Sequence, residues 1–101
     1  MSFSTHVLDA VAGRPAAGVR VRLEDGGGRV LAEGSTDGDG RIKGWETAGA
    51  GVHRVVFDTG GYLAETFYPE VVIAFTVTDP AQHHHVPLLL SPYAYSTYRG
   101  S

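Results

Sequence analysis

A chain of 101 residues, 43% hydrophobic and 19% charged, with formal net charge -3 and pI near 5.9, has the make-up of one slightly acidic globular domain, residues 1–101. That balance argues against nucleic acid as a partner, and the absence of cysteine removes disulfides, thiolate nucleophiles and thiolate metal sites. No apolar run is long enough for a bilayer, and Met1-Ser2-Phe3-Ser4-Thr5-His6 lacks the basic and apolar segments of a signal peptide, so no membrane association and a cytoplasmic location are expected.

Period-two alternation dominates the chain. A first strand is expected at about residues 3–9. The second, Val19-Arg20-Val21-Arg22-Leu23-Glu24, sets apolar residues at odd positions and charged ones at even positions, the pattern of a half-buried strand. Gly13-Arg14-Pro15 before it and Gly26-Gly27-Gly28 after it are turn chemistry. Strands follow at about 29–35 and 41–46, separated by Asp37-Gly38-Asp39-Gly40, which predicts a hairpin turn from which Arg41 emerges. Another strand is expected at 52–58. The helix candidate comes next, around Gly60 to Thr66 and bounded by Pro69, with room for about two turns. Strands at 70–78, 83–91 and 93–99 complete a set that points to an all-β sandwich or barrel. The stretch from Val86 to Tyr98 has no formally charged side chain and would make a hazardous exposed edge, best covered by a second copy of the chain.

Five histidines invite a metal reading, but in a strand His83 and His85 share one face while His84 points to the other, so the triplet cannot supply three ligands to one ion. His83 and His84 read as surface histidines, and His53 as a solvent-side or partner-side strand residue. His6 and His85 lie in strands with apolar neighbours, where a neutral imidazole can be held in one tautomer and serve as a base. Taken singly, each is more often structural. Arg41 leaves a Gly-rich turn and Arg99 follows an uncharged strand, so both could present planar forks to an anionic or carbonyl-rich ligand, although solvated surface charge is the commoner fate of arginine. Asp37 and Asp39 lack the later glutamate of a calcium loop. Ser91, Ser96 and Ser101 stand in no Gly-x-Ser-x-Gly elbow, so a serine hydrolase triad has no support.

Several segments together are similar to one family. His6-Val7-Leu8-Asp9, Gly13-Arg14-Pro15-Ala16 and Val19-Arg20-Val21 resemble the N-terminal signature of the transthyretin family. His85-Val86-Pro87-Leu88-Leu89-Leu90-Ser91-Pro92-Tyr93-Ala94-Tyr95-Ser96-Thr97 resembles its second signature, and Tyr98-Arg99-Gly100-Ser101 the terminal tetrapeptide of its enzyme branch. The resemblance implies a transthyretin-like (prealbumin-like) sandwich of two four-stranded sheets, assembled as a homotetramer, a dimer of dimers enclosing a channel. It implies hydrolysis of 5-hydroxyisourate to 2-oxo-4-hydroxy-4-carboxy-5-ureidoimidazoline in urate catabolism, with no metal or organic cofactor. The catalytic positions carry over onto His6, Arg41 and His85, with Tyr98, Arg99, Gly100 and Ser101 completing the substrate pocket. On this resemblance His6 and His85 would share the orienting and deprotonation of water, Arg41 would bind the carbonyl edge, and Arg99 with the Ser101 carboxylate would fix the pocket wall and Arg41.

The chain departs from the family pattern at His84, where a tyrosine is expected, at Ala94, and between Tyr62 and Phe67, which is several residues short. Two rival readings share the fold: a channel-binding protein of the thyroid-hormone carrier type, and a non-catalytic sandwich module. The carrier branch resembles a lysine where this chain has His6 and a threonine where it has His85, and it lacks the Arg-Gly-Ser terminus.

Overall fold

The computed structural model describes residues 2–101 and contains nine strands and one helical turn. In chain order these are β1 (Ser2–Asp9), β2 (Arg14–Pro15), β3 (Arg20–Asp25), β4 (Val30–Ser35), β5 (Arg41–Glu46), β6 (Gly51–Asp58), α1 (Thr59–Tyr62), β7 (Val71–Val77), β8 (His84–Ser91) and β9 (Ala94–Thr97). One sheet runs β4-β3-β6-β7. The other runs β2-β1-β8-β9, with β5 on the same edge of β1 as β2. That edge is used twice: β5 pairs with Ser2 to His6, and the two-residue β2 pairs with Leu8 and Asp9. The expected four-stranded sheet therefore takes a short fifth strand, because Arg14-Pro15 is long enough for two ladder positions only. β1 and β8 run parallel, and the other pairs are antiparallel.

The alternation read from the sequence sets the core. Phe3 and Val7 from β1, Val21 and Leu23 from β3, Val55 and Phe57 from β6, and Leu88 and Leu90 from β8 meet between the sheets. The Phe3 ring stacks against both Trp45 and Phe75, at 6.2 and 5.6 Å between centroids. Each β-branched or aromatic side chain buried here adds about 1.5–3 kcal/mol relative to exposure.

Two histidines sit opposite to expectation. His53 is buried because it shares the inward phase of Val55 and Phe57, and both ring nitrogens are satisfied: Nε2 accepts from Ala48 N–H at 3.0 Å and Nδ1 donates to the Gly51 carbonyl at 3.1 Å. His84 is also buried, in the inward phase of Val86 and Leu88, with its ring near Phe75. A polar residue on the core phase of a strand goes inside whenever its neighbours on that phase must.

The Asp37 to Gly40 segment is a turn but not a hairpin. Asp37 Oδ1 accepts from the N–H groups of Asp39 and Arg41, both at 2.9 Å, the side-chain turn expected of aspartate. Yet β4 pairs with β3 and β5 with β1, so the turn carries the chain from one sheet to the other. Gly40, at φ 74°, accepts at its carbonyl oxygen from Val7 N–H at 2.7 Å, and a Cβ there would collide with the Val7 carbonyl. Docking on β1 pulls the exit of the turn away from β4.

The helix candidate shrinks to one turn. Asp58 caps it by accepting from Gly61 N–H at 3.1 Å, and Leu63 is already extended. Two consecutive glycines give poor helix propensity, and by Pro69 the chain has turned back on the start of the turn, where Gly60 N–H donates to the Pro69 carbonyl at 2.8 Å. Among the described residues no helix is long and apolar enough to cross a membrane.

Candidate active site

The outward phase of the β2-β1-β8-β9 sheet is where histidines and cations gather. Ser4 and His6 on β1 alternate with the buried Phe3, Thr5 and Val7, so they point away from the core. Parallel pairing sets Ser4 beside His85 and His6 beside Pro87, while antiparallel pairing sets His6 beside Arg41. Three residues separated by dozens of positions are thereby brought to one face of one sheet. Arg41 reaches it because the turn before it is anchored to β1, and Ile42 fills the core phase behind it.

A cleft of about 350 Å³ opens on this face, lined by Ser4, Arg41, Lys43, His83, His85 and the terminal Ser101. His6 is half-buried, one row along β1 from Ser4. His85 is half-buried, and burial pushes its pKa below the ordinary 6.5; Arg41, His83 and His6 lower it further, and a backbone contact with Ser4 opposes them. The ring is therefore mainly neutral at pH 7, with a lone pair able to take up a proton. Among the described residues the Arg41 guanidinium has no hydrogen-bond or ion-pair partner, leaving its five N–H donors open to a ligand. The expected contact between Arg41 and the Ser101 carboxylate is not formed.

The terminal tetrapeptide divides. Gly100 N–H donates to the His85 carbonyl at 2.9 Å in an antiparallel bridge, and a Cβ on Gly100 would press into the His85 ring. Ser101 beyond it enters the cleft with Arg41. Tyr98 and Arg99 instead wall a second cleft, of about 290 Å³, between β7 and β8 beside Phe75, His84 and Val86. Arg99 donates to Gln82 Oε1 at 3.3 Å. In that second cleft burial pushes the His84 pKa down, Arg99 adds to the effect, and Nδ1 has no hydrogen-bond partner.

A family model for the HIUase/Transthyretin family matches residues 3–100. The chain belongs to that family. A 5-hydroxyisourate hydrolase of Salmonella dublin is 49% identical over 108 aligned positions, covering 97% of this chain and 79% of the relative. The solved Klebsiella pneumoniae 5-hydroxyisourate hydrolase superposes with TM-score 0.90 at 36% identity, over the whole of both chains. Sea bream transthyretin in complex with thyroxine superposes with TM-score 0.88 at 32% identity, over 97% of this chain and 93% of the other. The HIUase/Transthyretin fold thus accommodates a hydrolase and a hormone complex alike, and the side chains in the cleft must separate them.

For this member of the family, the sequence reading left out Ser4 and placed His83 at the surface. His83 is exposed, but its ring stacks over His85 with centroids 6.5 Å apart and hydrogen-bonds to two serines. The shared face of His83 and His85 was legible from their spacing of two. The serine was not, since nothing in the sequence says which strand lies beside β8. Among the described residues no three His, Cys, Asp or Glu side chains are arranged to hold a metal ion.

Proposed function

We propose that this chain hydrolyses 5-hydroxyisourate, opening its six-membered ring to 2-oxo-4-hydroxy-4-carboxy-5-ureidoimidazoline in urate degradation. The observation that carries the reading is the strand register that sets His6 beside Arg41 and Ser4 beside His85 on one sheet face. The 49% identity to the Salmonella dublin hydrolase supports it independently. A water oxygen attacks a ring carbonyl carbon while an imidazole of His6 or His85 takes one water proton. Arg41, otherwise unpaired, receives the oxyanion that develops. The ring C–N bond then breaks, the imidazole returns the proton to the leaving nitrogen, and the new carboxylic acid loses its proton to solvent. The balance closes without metal or organic cofactor. Ser101 and Gly100 shape the cleft beside His85, with Tyr98 and Arg99 behind them.

In this reading the chain is one transthyretin-like domain, residues 1–101, working in the cytoplasm as a homotetramer. The exposed, uncharged edge strand β9 and the exposed rings of Phe67, Tyr93 and Tyr98 support assembly, since apolar edges are normally covered.

Freshly generated 5-hydroxyisourate, followed by its absorbance decay with and without the protein, tests the activity. A carrier of the transthyretin type would bind an aromatic ligand and leave the decay rate unchanged. His6→Asn and His85→Asn are expected to keep the fold and lower kcat by ~100-fold or more. Wild-type rates in both variants would discard these catalytic assignments.

A further inference from the structure

Ser4 Oγ stands between two imidazoles, 2.7 Å from Nδ1 of His85 and 2.8 Å from Nε2 of His83. The remaining nitrogen of His83, Nδ1, is 2.5 Å from Ser2 Oγ. The two rings lie nearly parallel, 17° apart. One hydrogen-bonded chain therefore runs from the exposed Ser2–His83 end through the buried Ser4 hydroxyl to the half-buried His85 in the cleft.

We infer that Ser4 and His83 are positioning residues that hold the proton of His85 on Nδ1, leaving its Nε2 lone pair as the base of the site. The inference rests on the hydrolase reading and supplies the ring nitrogen that this reading leaves open. A hydroxyl has one proton, so Ser4 can donate to one of the two nitrogens and must accept from the other. The chain can therefore point in two directions. In the first, His85 Nδ1–H donates to Ser4, Ser4 donates to His83 Nε2, and His83 Nδ1–H donates to Ser2. In the second, every one of these donations is reversed, and His85 would present an N–H to the cleft.

The chemistry of proton uptake selects the first direction. A histidine that takes a proton becomes a donor at both nitrogens, so Ser4 must accept from Nδ1 once His85 has acted as a base. In the first direction that bond already exists, and nothing reorganises during the reaction; in the second, Ser4 and His83 would both have to reverse. The other titratable and charged groups facing His85 are His6 from β1, Arg41 and Lys43 from β5, and the Ser101 carboxylate of the tail.

The test uses the full chain as wild type, Ser4→Ala, Ser4→Thr, His83→Ala and the double variant Ser4→Ala/His83→Ala. The ring-nitrogen tautomer of His85 is read by ¹⁵N NMR, and hydrolysis is measured on 5-hydroxyisourate. We expect Nδ1–H in the wild type and a loss of that preference in Ser4→Ala. By analogy with other groups that orient an imidazole, kcat should fall about 10- to 100-fold in Ser4→Ala with KM within about 3-fold, and Ser4→Thr should restore most of it. The His83→Ala loss should vanish in the Ser4→Ala background, since His83 acts only through Ser4. An Nε2–H tautomer in the wild type, an unimpaired Ser4→Ala, a Ser4→Thr as poor as Ser4→Ala, or additive losses would each overturn the relay. The tautomer is read without turnover, so an inactive wild type would sink the hydrolase reading while the spectrum still decides the relay.

Discussion

Gly100→Ala is the sharpest probe of how the chain terminus serves the cleft. The added methyl would sit about 3.1 Å from His85 Cγ and closer still to Cδ2, so something must move. If the His85 ring turned aside, it would lose its 2.7 Å bond to Ser4 and leave its rotamer, a cost of about 1 kcal/mol for the bond and another 0.5–1.5 for the torsion. If instead the tail lifted, the described cost is the Gly100–His85 backbone bond of 2.9 Å, about 1 kcal/mol. Release of the tail is therefore the cheaper response. Ser101 should leave the cleft while His85 and the core stay in place. The expected result is a rise in KM on 5-hydroxyisourate of about 10-fold or more, roughly 1.4 kcal/mol of lost binding, with a Tm within about 4–8 °C of wild type. A chain shortened by Gly100 and Ser101 should behave alike. Wild-type KM in Gly100→Ala would refute the claim that the docked tail shapes the site, and a far larger loss of Tm would refute the choice of the tail as the yielding part.

Further outcomes concern pH and one anchoring bond. Because the His85 pKa lies below 6.5 in the fold, the acid limb of kcat/KM should fall below that value; a limb at or above it would contradict a neutral, half-buried base. The same sign governs stability. The unfolded chain takes up protons at His84 and His85 before the folded one does, so stability is full above about 6.5 and declines as pH drops through that value toward the folded pKa values. Thermal melts from pH 8 to 5 should show this, and His84→Phe should flatten the decline. Tyr62 donates to Asp9 Oδ2 at 2.9 Å, while Asp9 Oδ1 accepts from Val11 and Ala12 N–H. Those bonds hold the Asp9 carboxyl below its usual range, chiefly through Ala12. Tyr62→Phe should cost about 1 kcal/mol, a Tm drop of roughly 4–8 °C, and an unchanged Tm would show that this bond adds nothing.

Strand positions and the all-β class were legible because alternation of period two is a local property, written in segments such as Val19 to Glu24 and confirmed by the inward Val21 and Leu23, whereas the transthyretin-like architecture was implied by the resemblance of the signature segments. That His83 and His85 share one face followed from the same rule. The phase of His53 and His84 did not, because the residues beside them, Val52 and Arg54 in one case and His83 and His85 in the other, carry no sign of which side of the strand faces the core. The Asp37 to Gly40 turn was recognisable from its residues, but its partner was not: the choice between pairing with β4 and docking on β1 is made by Gly40 meeting Val7. Composition and short-range pattern determined the all-β class and the turn chemistry, and the candidate reactive side chains came with the family resemblance of the segments that hold them. Only the tertiary structure decided that His6, Arg41, Ser4, His83 and His85 share one surface, because strand order and register depend on contacts between residues up to 81 positions apart, which no local preference encodes.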